Sequence, residues 1–190
     1  MKALITAVMA SLILLTGCSK VETLLPVIEE QPSSDFCEAL KSNNAWLDGA
    51  VAAESRWGIP IYVSLAELNL KIGTESSRYI DPVAGDWEQY RISTEAWDAS
   101  PADVDSALDF IGWHSRLAVE RNQLKMEQAG QLYLASRLGH GGFHRFQQQP
   151  DLVLSRQSEQ VDLRAAEYRE QLKFCPRIRE RAGSFFRWPW

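Results

Sequence analysis

Pro60-Ile61-Tyr62-Val63-Ser64-Leu65-Ala66-Glu67-Leu68-Asn69-Leu70-Lys71-Ile72-Gly73 decides the fold class. Pro60 suits the first position of a helix, where its missing N–H costs nothing. Ile61, Leu65, Leu68 and Ile72 recur at spacings of four, three and four, the period of an apolar helix face. Gly73 fits the residue just past a helix end. The spacing therefore predicts a helix over 61–72. The same pattern recurs in both directions. Residues 46–57 are helical in composition and stop at Gly58. Residues 74–85 read as a loop containing Pro82, and Trp87 to Trp97 as a short aromatic segment of helical character.

Ser100-Pro101-Ala102-Asp103 carries a helix-start signal, with Ser100 as the cap. The helix it opens places Val104, Ala107, Leu108, Ile111, Ser115 and Ala118 on one stripe. A further helix is expected from about Met126 to Leu138, ended by Gly139, with Gly141 and Gly142 continuing the turn. The last runs from about Arg156 to Phe174, with Val161, Ala165, Tyr168 and Leu172 on one face. No strand alternation of any length occurs, so the class is mostly α.

The N-terminus has a positive start at Lys2 and an apolar run from Ala3 to Leu15, too short to span a membrane and typical of a secretory signal. It ends Leu15-Thr16-Gly17-Cys18, which resembles a bacterial lipobox. That resemblance implies cleavage after residue 17 and lipidation of Cys18, with several acyl chains for stable membrane anchoring. Ser19, in place of Asp, favours the periplasmic face of the outer membrane. Residues 18–35 then read as lipidated cysteine and flexible tether, with Pro26, Pro32, Ser33 and Ser34. Cys37 and Cys175 remain, one at each end of the exported domain, and in an oxidising compartment they are expected to pair.

The net charge is −5, and Lys2 leaves with the signal. A mildly acidic chain gives no support to nucleic-acid binding, which needs basic patches. His114, His140 and His144 have no cysteine or carboxylate spacing that would make a metal site, and no cofactor motif is present.

With the helices placed, a family resemblance follows. Trp57-Gly58-Ile59-Pro60 with Leu65-Ala66, Trp87-Glu88-Gln89-Tyr90-Arg91, and Asp109-Phe110-Ile111-Gly112-Trp113 resemble motifs of a soluble-lytic-transglycosylase-like domain. So do Leu132-Tyr133-Leu134-Ala135 leading to Gly139-His140-Gly141-Gly142-Phe143, and Tyr168 with Gln171-Leu172. Cys37 and Cys175 frame the match, which covers residues 36–175. The resemblance implies a single helical domain of the goose-lysozyme/transglycosylase type, often carried by envelope lipoproteins that cleave peptidoglycan glycan. It makes Trp87, Tyr90, Tyr133 and His140 candidate cleft residues. Trp87, Tyr90, Trp97 and Trp113 have ring faces of the kind that stack on sugars, but at least half are expected in the core.

In that family one Glu, five residues after the Leu-Ala pair, protonates the glycosidic oxygen, and the substrate's acetamido group assists. Here that position is Lys71. A lysine cation opposes the oxocarbenium-like charge of the transition state. Arg137 and Leu138 replace the pair that usually precedes the glycine turn, and the segment 72–86 is short. Glu75-Ser76-Ser77 offers a shifted acid at Glu75, although Gly73 is expected to end the helix first. Glu67 is expected to form a surface pair with Lys71 four residues on. The reading that follows is a cell-envelope lipoprotein that binds peptidoglycan glycan or an envelope protein without catalysis. An active enzyme using Glu75 is one alternative. A module binding a protein partner through the tail 176–190, with Phe185, Phe186, Trp188 and Trp190 among its arginines, is another.

Overall fold

The computed structural model describes residues 36–72, 78–83 and 85–175, with the side chains at 42, 69–72 and 140 excepted. The signal and tether, Cys18, Gly73, Glu75 and the tail 176–190 lie outside the described residues, as do the side chains of Lys71 and His140. Every regular element among the described residues is a helix: α1 (Phe36–Ser42), α2 (Asn44–Trp57), α3 (Ile61–Ile72), α4 (Asp86–Thr94), α5 (Val104–Asn122), α6 (Ala129–Gln148) and α7 (Leu152–Leu172). None is long and apolar enough to cross a membrane.

α3 is the centre of the bundle, packed by α2, α5, α6 and α7. Ile61, Val63, Ser64, Leu65, Ala66, Glu67 and Leu68 are all buried, so α3 is enclosed rather than half-exposed. Its boundaries are those the sequence predicts. α2 begins two residues earlier than expected and ends at Gly58, whose N–H donates to the Glu54 carbonyl at 2.9 Å. The stripe of α5 is buried along its length.

Three expectations need correction. The cap of α5 is Asp103, not Ser100: Asp103 Oδ2 accepts from the Ser106 N–H at 2.9 Å and from its hydroxyl at 2.8 Å. A carboxylate satisfies both donors and sits well against the positive end of the helix. Ser100 instead begins the turn that leads in, its carbonyl accepting from the Asp103 N–H at 3.0 Å. Secondly, α6 does not stop at Gly139. It bends there (φ 65°, ψ 168°) and resumes through Gly141 and Gly142 to Gln148. A positive φ is open to glycine at little cost, and the buried Phe143 beyond the bend returns the chain to the core. Thirdly, α7 begins at Leu152, capped by Asp151, whose Oδ1 accepts from the Leu154 N–H at 2.9 Å.

α5 crosses α2 closely at Gly112. A Cβ there would lie 2.5 Å from Trp57 Cδ1, and the indole cannot retreat freely because its Nε1–H donates to Asp109 at 2.8 Å. Gly112→Ala is expected to destabilise the domain by about 1–3 kcal/mol, read from the midpoint of a urea unfolding curve.

Candidate functional site

Glu67 sits on the buried side of α3 at 0% exposure. Ser136 of α6 donates its hydroxyl to Glu67 Oε1 at 2.6 Å, and the Ser136 Oγ also lies 3.0 Å from the Tyr133 carbonyl oxygen. The expected pair with Lys71 assumed a surface carboxylate, and Glu67 is interior; the Lys71 side chain lies outside the described residues. Enclosure by four helices has made it an interior group, and interior carboxylates require hydrogen bonds. Lys71 stands one helical turn further along α3, and Glu67 is the only carboxylate of that helix.

Tyr133 extends the cluster. Its hydroxyl donates to Gln157 Oε1 of α7 at 3.1 Å. Burial pushes its phenol above the ordinary range; Arg137 acts in the opposite sense and Glu67 adds to the rise. Arg137 also reaches Asp81 in the segment 78–83, at 4.0 Å. Glu67, Tyr133, Ser136 and Arg137 therefore form one polar group between α3 and α6.

The bend of α6 lies beside this group. A Cβ on Gly139 would stand 3.8 Å from Val83 Cγ1 and 3.9 Å from Asp86 Oδ2. Asp86, the first residue of α4, is 3.5 Å from Nε2 of the buried His114 on α5. The segment 78–83, the start of α4 and the bend of α6 thus converge beside His114 of α5. Among the described residues no group of three or more His, Cys, Asp or Glu is placed to hold a metal.

Trp87 and Tyr90 belong to a different cluster. Tyr90 is buried, with its ring against Trp87, Phe110 and Trp113 at 5.1–5.6 Å. Its hydroxyl donates to Asp109 Oδ2 at 2.8 Å, beside the Arg56 guanidinium at 3.0 Å, while Trp57 Nε1–H takes Oδ1. Burial, then the hydrogen bond and charge of Asp109, hold the Tyr90 phenol well above its ordinary range. Three of the quoted sequence motifs therefore meet at a single carboxylate, and there they join α2, α4 and α5. Tyr133 is also buried; Trp87 is half-buried. Sequence reasoning missed Ser136, Asp81 and Asp86, which have no motif of their own and join the site only through tertiary packing.

Chemically, the described part of the site has buried polar groups and a glycine-lined bend. α3 supplies no carboxylate that reaches solvent. A family model described as a transglycosylase SLT domain matches the chain in two overlapping stretches, residues 6–77 and 67–175. No curated protein and no solved structure matches it.

Proposed function

The chain belongs to the transglycosylase SLT domain family, and on that footing we propose that it is a lipid-anchored envelope protein that binds peptidoglycan glycan without cutting it. Membership gives a single lysozyme-like helical domain and a peptidoglycan-related function in the cell envelope. The non-catalytic part of the reading rests on one observation. The only carboxylate of α3, Glu67, is fully buried and hydrogen-bonded to Ser136. A general acid must come within hydrogen-bond reach of the glycosidic oxygen, and a carboxylate enclosed by α3 and α6 does not. Lys71, at the position where the resemblance puts the acid, carries the wrong charge for an oxocarbenium-like transition state.

In this reading residues 1–17 are a lipoprotein signal, Cys18 bears the lipid, 18–35 form the tether, 36–175 the domain and 176–190 a contact tail. The tether from Cys18 to Phe36 reaches at most about 60 Å, enough to hold the domain near the wall from the periplasmic face of the outer membrane.

The test is to incubate the mature chain with purified sacculi, then analyse soluble muropeptides and the pelleted protein. Co-sedimentation without anhydro-muropeptides is the expected result. Release of anhydro-muropeptides overturns the non-catalytic reading, and its loss in Glu75→Gln would then locate the acid. Protein that neither pellets nor cuts overturns the glycan reading.

A further inference from the structure

Of the five tryptophans among the described residues, Trp97 alone is exposed, at 56%. Single exposed apolar residues are ordinary on protein surfaces. What sets Trp97 apart is how firmly its loop is held. α4 ends at Glu95 in a left-handed conformation (φ 57°). The Ala96 N–H then donates to the Arg91 carbonyl at 3.1 Å, the Trp97 N–H to the Glu95 carbonyl at 3.0 Å, and the Ala99 N–H to the Ala96 carbonyl at 3.2 Å. Arg91 Nη2 reaches forward to the Trp97 carbonyl at 2.8 Å, and its guanidinium carbon stands 6.0 Å from the ring centre. Further along, the Pro101 carbonyl accepts from the Tyr79 N–H at 2.9 Å, tying this loop to the segment 78–83 that borders the α6 bend.

The result is a large apolar ring presented to solvent on a braced backbone, so a ligand that used it would meet little ordering cost. Glu95 and Asp98, both exposed, stand on either side in sequence and offer acceptors for hydroxyl and amide donors. A flat, exposed aromatic face suits a pyranose ring whose substituents are all equatorial. Such a ring has an apolar face of axial C–H bonds and a polar edge. The N-acetylhexosamines of a β-1,4-linked glycan have this shape. α4 is nine residues long, so Asp86 at the α6 bend and the end of α4 near Trp97 are separated by about 13 Å along the helix.

We propose that Trp97 is a glycan contact, stacking on an N-acetylhexosamine ring of a bound strand. The proposal rests on the glycan-binding reading above. It is tested with the full mature chain against two probes, purified sacculi and the N-acetylglucosamine tetrasaccharide, by co-sedimentation and calorimetry. Trp97→Ala is expected to weaken tetrasaccharide binding about tenfold, Trp97→Phe to retain most of the affinity, and Ile92→Ala, which removes another exposed apolar side chain (51%), to change nothing. A parent chain that binds while Trp97→Ala binds equally well overturns this inference alone. Equal losses in Trp97→Ala and Ile92→Ala also overturn it, because they indicate unspecific apolar adsorption. A parent chain that binds neither probe overturns the glycan reading and this inference with it.

Discussion

Opening the Cys37–Cys175 bridge is expected to destabilise the domain by about 5 kcal/mol, the loop-entropy figure for a closure of 138 residues. The two cysteines are 138 residues apart in sequence and 5.7 Å apart at Cα. Spread over a domain of this size, the loss corresponds to a melting temperature lower by about 10–20 °C. The cost falls on α1. Seven residues do not form a stable helix by themselves, so α1 depends on its packing against α7 and α2. Phe36 stacks on Tyr168 with ring centres 3.8 Å apart, and its N–H donates to Gln171 Oε1 at 2.8 Å. These two contacts join the first turn of α1 to the last turns of α7, beside the bridge. In the reduced chain these contacts must hold α1 against the entropy of a free end. Thermal melts of the oxidised chain, the reduced chain and a Cys37→Ser/Cys175→Ser variant measure the effect. A shift of only a few degrees in both treated samples contradicts it, and shows that α1 and α7 stay docked without the bond. A chain anchored upstream at Cys18 would pull on α1 first, and the bridge carries that pull to α7 rather than peeling α1 away.

The end of α2 and the start of α3 were legible because local chemistry decides them: Gly58 closes one helix and Pro60 opens the next. Where local chemistry competes with packing, packing won. Gly139, Gly141 and Gly142 look like a helix stop, yet one glycine absorbs the bend and the other two lie in a helix that Phe143 draws back to the core. Ser100 and Asp103 both have capping chemistry, and a serine hydroxyl does not match a carboxylate that takes two donors from Ser106. Glu67 is the most instructive case. Its spacing from Lys71 suggests a surface pair, a rule that assumes an exposed helix face. α3 has no such face over 63–68, and Glu67 accepts a hydrogen bond from Ser136, 69 residues away. No periodicity or motif carries that distance. The quoted motifs did identify the residues that converge on Asp109, but the sequence alone did not say that they converge, or that they hold helices together.

That convergence makes Asp109→Ala the second large effect, with an expected loss of about 3 kcal/mol at neutral pH. The Arg56 guanidinium is half-exposed, and an ion pair of that kind contributes little. The loss comes from the two part-buried donors, the Trp57 indole N–H and the Tyr90 hydroxyl, each costly to leave without an acceptor. Asp109→Asn keeps an acceptor oxygen and removes the charge, so its deficit is smaller, and its pH dependence identifies the contact. The folded domain holds the Tyr90 phenol above its ordinary value, first by burial and then through Asp109. Above pH ~10 an unfolded tyrosine loses its proton while the folded one retains it. The unfolded state then binds fewer protons, and stability falls as pH rises. In Asp109→Asn the charge that opposes ionisation is gone, so Tyr90 titrates nearer its ordinary value and less stability is lost at alkaline pH. The gap between parent and Asp109→Asn is therefore expected to narrow above pH ~10. Urea unfolding on both sides of that pH, with tyrosinate absorbance followed in the folded protein, measures it. Parallel alkaline curves contradict the coupling of Tyr90 to Asp109. A deficit in Asp109→Ala below about 1 kcal/mol contradicts the structural role assigned to the hub. Because Asp109 faces the junction of α2, α4 and α5 rather than the α6 bend, any loss of sacculus binding in these variants should track the unfolded fraction. Binding lost by a fully folded Asp109→Asn protein would mean that the junction also shapes the glycan surface through α4, the helix that joins Asp86 to the Trp97 loop.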